Sequence, residues 1–419
     1  MTLDKASAAA DLDANADVIR SYLSDDDDLL ERYRRAVQKL PRAWSRSEIR
    51  EELAGSPYPG ALPTEAFDAV DSLVRPHPPS DGWESHEAVN DWARDRLEGV
   101  PLLATDGSEI PPTTQFNVPL AYVQAAWALN HHAPDGRLER GLEGRLLTPE
   151  EVSRDAGDYR YVDASLVGHH RYEHEGEVVV ERIRELAAAQ EDGDLSRPPV
   201  VLYDGPLVVS FANSLPPEAR DRYTQTVSRI LAASQHYGVP VVGYVAGTNA
   251  TDLVKMVRLL MEDRFASDRV VPDSRVLAGL MGAWGETTVP MVCRREGGVD
   301  SLEVAYEGSD YAFERDLLFA YLNAPAGTGL DRIEFPGWLT RADGPEGFAT
   351  LYEYVVAVVR AEAAVGRGYP EVLQQADTDA VLDHADRRQF LRLVQRWAEA
   401  NDVPIEWNEK ARSKELRRR

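Results

Sequence analysis

The chain has 419 residues, 43% of them hydrophobic, with 71 Asp and Glu against 46 Lys and Arg and a formal net charge of −25. That apolar content supports a sizeable core and excludes wholesale disorder, and the length suits one large domain or two ordinary ones. No run approaches the ~18 uninterrupted apolar residues of a membrane span. The first twenty residues lack the basic start and apolar stretch of a secretory signal, and the single cysteine, Cys293, excludes an intrachain disulfide framework and a Cys-based zinc site. The expectation is a soluble, cytoplasmic protein with no membrane partner.

Lysine is confined to Lys5, Lys39, Lys255, Lys410 and Lys414, so arginine supplies nearly all the positive charge. Abundant Asp with scarce Lys suits the surface of a protein from a salt-adapted cell, where a Debye length of ~3 Å at 1 M salt weakens self-repulsion. A lone Asp or Glu in such a chain is most simply a solvated side chain. Only a carboxylate in an apolar frame stands out. The negative total does not exclude a nucleic-acid partner, but phosphate contacts would then have to come from local arginine clusters.

The first hundred residues read as helical. Asp25 to Asp28 precede LLERYRRAVQKL, with acid before base as the helix dipole favours. Further helices are expected over residues 63–74, with Thr64 as cap, and 83–98, separated by Pro- and Gly-rich breaks. LLATDGS (102–108) is a short apolar run ending in Asp-Gly. Residues 118–129 form an apolar stretch that fits strand or helix, and a polar loop is expected after it. Residues 159–168 read as a strand, 177–190 as a helix, 200–206 (VVLYDGP) and 239–247 (VPVVGYVAG) as buried strands, and 218–237 and 251–263 as helices. Strands near 302–306, 315–322 and 330–335 follow, then helices at 347–364 and 377–400. Three antiparallel strands followed by βαβ units give a mixed α/β sheet of ribonuclease-H-like order.

Asp106 and Asp204 each close an apolar strand, and each precedes a glycine. Ligand sites in open α/β sheets lie beyond strand ends. If the two strands are neighbours, their carboxylates converge and repel unless a cation lies between them. Oxygen ligands without Cys or His suit Mg²⁺ or Mn²⁺. Either Asp-Gly alone is more often a turn. Glu181 and Glu185 share a face of the intervening helix and are candidates for a third acid, against the plainer reading of a salt-bridged surface. The pairs His131–His132 and His169–His170 read as surface. No GxxxxGK[ST], GxGxxG or GxSxG motif is present. The basic end ARSKELRRR (411–419) suits either phosphate contact or solvent.

ATDGSEI (104–110), VVLYDGPL (200–207), VPVVGYVAG (239–247), the DLLFAYL and LDRIEFPGWL blocks (316–339) and GYPEVLQQAD (368–377) together resemble the NurA family over about residues 100–385. That resemblance implies a ribonuclease-H-like core and a Mn²⁺-dependent 5′-to-3′ DNA exonuclease, with endonuclease activity on single strands, that acts in end resection of double-strand breaks. Mg²⁺ is the alternative metal. It also implies a homodimer docked on a hexameric HerA-type ATPase, with single- and double-stranded DNA as substrates. By the same resemblance Asp106 and Asp204 are catalytic carboxylates, and a helix glutamate is the third, placed at Glu181 with Glu185 as the alternative. Asp377 stands where the family often has a histidine, as a further metal ligand. The expected regions are a helical extension (1–99), the nuclease domain (100–385), and a terminal helix with a basic tail (386–419). Rival readings are a non-catalytic HerA-binding adaptor of the same fold, a ribonuclease-H-like enzyme acting on RNA or hybrids, and a structural protein whose Asp-Gly pairs are only turns.

Overall fold

The structure, a computed structural model, describes residues 4–77, 85–113, 115–261, 271–297, 303–313, 315–324 and 329–406. The basic 411–419 segment lies outside them. The chain divides into two compact units, each assembled from separate segments: Met1–Gly82, Ala246–Glu296 and Leu318–Arg332 in one, and Trp83–Val245, Gly297–Leu317 and Ile333–Arg419 in the other. They therefore cut across the three consecutive regions expected from sequence.

The second unit contains the sheet that positions the site. Its strands are β1 (Leu102–Ile110), β2 (Ala121–Asn130), β3 (Leu138–Leu147), β4 (Val200–Asp204), β5 (Val241–Val245) and residues 333–336 of β6 (Asp331–Pro336). Their spatial order is β3-β2-β1-β4-β5-β6. β1, β2 and β3 form an antiparallel meander, and β4 lies parallel to both β1 and β5. This is the mixed ribonuclease-H-like arrangement expected. Residues Leu102–Ala104, Val200–Leu202 and Val241–Val242 are fully buried, as continuous apolar runs in central parallel strands require.

The third meander strand differs from expectation. The third strand is 138–147, within the polar stretch expected as a loop after residue 129, whereas of the expected strand 159–168 only 159–162 is extended, in a small hairpin with 153–156, and 165–168 begin a helix. β3 is an edge strand with alternating exposure, and four of its ten residues, Glu139, Arg140, Glu143 and Arg145, are charged, so it lacks the apolar run of the central strands. Gly141, which reads as a breaker, is opposite Trp127 of β2, and a Cβ there would run into the indole. The glycine thus accommodates a cross-strand aromatic ring within the pairing.

Two helices cover opposite faces of β1 and β2. α1 (Ser165–Glu191) begins well before the expected residue 177 and buries Tyr172, Gly176, Val179, Ile183 and Leu186 at helical spacing. Each large apolar side chain in that row contributes about 1.5–3 kcal/mol by burial. α1 packs on α2 (Pro217–Tyr237), where Gly176 admits the Thr226 methyl. On the other face lie α3 (Leu351–Val365) and α4 (Glu371–Ala380), and Gln124 of β2 reaches the Ala380 carbonyl at 3.0 Å. Residues 377–400 are therefore not one helix. α4 ends at Ala380, and Asp383 caps a separate helix, α5 (His384–Ala400), by accepting from the Ala385 and Asp386 amides.

The other unit carries the helical N-terminal region, Lys5–Ala14, Ala16–Ala43 and Arg46–Glu52. Its strands Gly60–Pro63 and Met291–Arg294 pair antiparallel, and Met291–Val292 pairs with Phe319–Leu318. The helix expected over 63–74 is absent. Extended residues 60–63 lead into a single 3₁₀ segment, Glu65–Ala69, and the Thr64 hydroxyl donates to the Pro290 carbonyl instead of capping. This unit buries Arg332 against Asp252 at 2.6 Å, and Tyr321 donates to Asp273 at 2.6 Å. No helix among the described residues is long and apolar enough to cross a membrane.

Candidate active site

Leu103 pairs with Val201 and Thr105 with Tyr203 in the parallel β1–β4 ladder. One residue further on, Asp106 and Asp204 stand level on adjacent strands, which lie ~4.8 Å apart. At Gly205 the backbone takes φ +119°, a conformation that favours glycine, and its amide donates to the Tyr244 carbonyl at 2.9 Å. The chain can thus leave the sheet immediately beyond Asp204.

Asp106 is half-buried, and its carboxyl is held above the usual carboxylate range. Burial is the main cause, opposed by a hydrogen bond from the Gly107 amide and reinforced by the charges of Asp204 and Asp377. Asp204 is shifted in the same direction by desolvation. The Tyr369 hydroxyl, donating to Asp204 Oδ1 at 2.8 Å, counteracts this, while the Asp377 charge adds to it. Asp377 lies on the exposed side of α4 and acts on both carboxylates. The structure therefore brings together Asp106, Asp204 and Asp377.

Glu181 and Glu185 are not brought to this cluster. Both side chains remain 55% exposed and flank Arg182, whose guanidinium lies 2.7 Å from Glu185 and 3.4 Å from Glu181. Arg182 in turn lies 5.0 Å over the Trp127 ring and 3.7 Å from Glu143. This is the salt-bridged surface, and it corrects the placement of the third acid.

The helix carboxylate beside the aspartates is Glu175, two turns earlier on α1 and only 4% exposed. Burial and the charges of Asp106 and Asp204 push its pKa up to about 8, against the lowering effect of Arg171. Arg171 lies 3.8 Å from Glu175 and 3.4 Å from Glu109, and donates to the Gly107 carbonyl at 3.2 Å. Glu175 falls within the apolar row between Tyr172 and Val179. It lies just ahead of residue 177, where helical composition becomes plain in the sequence, although the helix itself begins at Ser165. Tyr369 belongs to the late Tyr-Pro motif, and the sequence alone does not show that its hydroxyl reaches Asp204.

Four acids drawn to one strand end form an oxygen donor set whose mutual repulsion a divalent cation would relieve. In chemistry they fit such an ion. Among the described residues, no group of three or more His, Cys, Asp or Glu side chains stands, as placed, where it could hold a metal ion. The histidine pairs are not part of the site, and they are largely buried rather than on the surface. His132 bonds the Val100 carbonyl and Glu362, each at 2.8 Å, and His169 packs edge-on against Tyr223. Burial alone would lower the His132 pKa, but the hydrogen bond and charge of Glu362 outweigh it and raise it.

Among solved structures, the catalytic domain of human endonuclease V aligns at 13% identity and a TM-score of 0.30, covering 75% of this chain and 89% of that one. Endonuclease V from Bacillus subtilis aligns at 10% identity and a TM-score of 0.29, covering 74% and 95%. Drosophila Piwi aligns at 10% and 0.27, covering 67% and 29%. No curated protein matches the sequence. The model of the NurA domain matches residues 100–382, more than half of the chain and the whole stretch from β1 to α4, and the chain belongs to that family.

Proposed function

We propose that the chain is a metal-dependent DNA nuclease. The observation that carries this reading is the meeting of Asp106, Asp204, Glu175 and Asp377 at the ends of two parallel central strands, with Glu175 buried. Repelling acids gathered around one buried glutamate are costly to the fold, and a cation site gives them a use.

Asp106 and Asp204 would hold the ion, Mn²⁺ or Mg²⁺, with Glu175 and Asp377 as further oxygen donors. A divalent ion at this position supplies positive charge against phosphate oxygens and acidifies water. The remaining work belongs to side chains of this chain. Tyr369 fixes the Asp204 carboxylate by its 2.8 Å hydrogen bond. Arg171 ties the helix that carries Glu175 to the Gly107 carbonyl, holding α1 in register with β1. The raised pKa of Glu175 favours its protonated form near neutrality, and a bound cation would favour the ionised form.

Digestion from 5′ ends, cleavage of single strands, assembly as a homodimer and work with a HerA-type translocase in break resection follow from family membership and form part of this proposal. The test uses DNA labelled at either end, as single strand and duplex, beside matched RNA and hybrid, in high salt with Mn²⁺, Mg²⁺ or chelator. Metal-dependent loss of DNA from the 5′ end supports the reading. Cleavage confined to RNA or hybrid contradicts it.

A further inference from the structure

Helix α5 lies beyond the matched family region and has no part in the carboxylate site. In a chain of net charge −25, its seventeen residues carry Arg387, Arg388, Arg392 and Arg396 against only Asp386 and Glu399. Both acids are engaged elsewhere: Asp386 accepts from the Asp383 amide, and Glu399 from the Gln395 side chain. Arg388, Arg392 and Arg396 recur every four residues, so they form one exposed stripe with a rise of about 6 Å between neighbours. Arg388 acts on Asp383 through its charge, but no carboxylate among the described residues forms an ion pair with any of the three. Arginines on other helices do form such pairs, as Arg20, Arg94, Arg171 and Arg182 illustrate.

Beside the stripe, Leu393 and Trp397 are 58% and 53% exposed. The opposite face fixes the helix in place. Leu391 and Val394 pack with Phe116, and Phe390 lies 5.6 Å from the Tyr122 ring. Tyr122 pairs with Ile110, the last residue of β1, four residues beyond Asp106. α5 is therefore anchored beside the end of the strand that carries Asp106, about 13 Å further along it.

We propose that the Arg388–Arg392–Arg396 stripe with Trp397 is a backbone-tracking surface for single-stranded nucleic acid leading to the carboxylate site. Charge complementarity selects the occupant: a row of unneutralised guanidinium groups on a strongly acidic protein suits a polyanion. An exposed indole beside the row offers a stacking face for a base. This deepens the nuclease reading and rests on it.

The test uses the full chain and fluorescence anisotropy of a labelled oligothymidylate in chelator, across a salt series. The Arg388→Gln/Arg392→Gln/Arg396→Gln variant is compared with wild type and with Arg20→Gln/Arg94→Gln/Arg160→Gln, three exposed arginines elsewhere, as a charge-matched control. The triple variant is expected to bind about tenfold more weakly, and the slope of log affinity against log salt should fall by about 2, since each phosphate contact contributes about 0.7 on single strands. Trp397→Ala should weaken binding about tenfold with little change in slope. Hydrolysis of bis(p-nitrophenyl) phosphate with Mn²⁺ should be unchanged in these variants, because so small an ester does not reach α5. Wild-type affinity and slope in the triple variant overturn the inference. So does a change in oligomeric mass without a change in DNA binding, which would make α5 a protein contact. If wild type fails to hydrolyse the small ester while the arginines still govern binding, the nuclease reading fails and the stripe stands.

Discussion

Gly107 of β1 leaves open the space that the Glu175 carboxylate occupies. A Cβ at Gly107 would come within 3.0 Å of Glu175 Oε2 and 3.1 Å of Arg171 Cγ. The glycine after the strand-end aspartate thus admits a buried acid from the covering helix. Gly107→Ala should displace Glu175 and Arg171, lowering DNA cleavage about tenfold or more, with a stability loss of about 1–3 kcal/mol. Nuclease rates measured beside urea unfolding check this.

Glu175, not Glu181 or Glu185, should be the helix acid on which activity depends. Glu175→Gln should abolish most metal-dependent cleavage, whereas Glu181→Gln and Glu185→Gln should stay within about twofold of wild type, because each belongs to an exposed ion pair worth about 0–1 kcal/mol. The reverse pattern in the three rates contradicts the site.

Stability without metal should fall as pH rises. The folded-state pKa of Glu175, about 8, lies above the ~4.3 of an unfolded chain. Its contribution is therefore fully present below the unfolded value and is lost as pH climbs toward 8. Asp106 and Asp204, also raised, act in the same direction. In chelator, urea unfolding from pH 5 to pH 8 should show a decline that Glu175→Gln flattens. An unchanged slope in that variant would falsify the assignment.

Mn²⁺ should raise the melting temperature, and more so at pH 8 than at pH 6, because protons compete for the same carboxylates. Asp106→Asn should remove most of the shift. An equal shift in that variant would locate the ion elsewhere.

Tyr369→Phe deletes the 2.8 Å hydrogen bond to Asp204. That bond lowers the Asp204 pKa, so its loss should move the acid limb of the pH–rate profile upward. Activity should fall about tenfold near neutrality, equivalent to about 1–1.5 kcal/mol. A limb that stays in place with unchanged rate would mean that Tyr369 only packs.

Much of this arrangement is written locally in the chain. Two apolar runs, each ending in Asp-Gly, mark β1 and β4, and with right-handed connections they become neighbours whose ends carry Asp106 and Asp204. β3 was not legible, because an edge strand exposes half its residues and Gly141 is explained only by a ring on the neighbouring strand. Glu175 is hidden in the sequence because the polar HHRYEHE segment (169–175) obscures the first turns of its helix. Once α1 begins at Ser165, the glutamate stands out as an acid in an apolar row, whereas Glu181 and Glu185 resemble every other surface carboxylate of an acidic chain. The burial of His132 could not be read locally, since its partner Glu362 lies 230 residues away.

The most direct test of the two-aspartate site is cleavage of end-labelled DNA with Mn²⁺ or chelator by wild type, Asp106→Asn and Asp204→Asn, each shown by circular dichroism to be folded. The account predicts that wild type degrades DNA only with the metal and that each variant loses about a thousandfold or more, consistent with removal of a group that stabilises the transition state electrostatically. A wild type inert with every divalent ion tried, or variants that cleave as well as wild type, would contradict it.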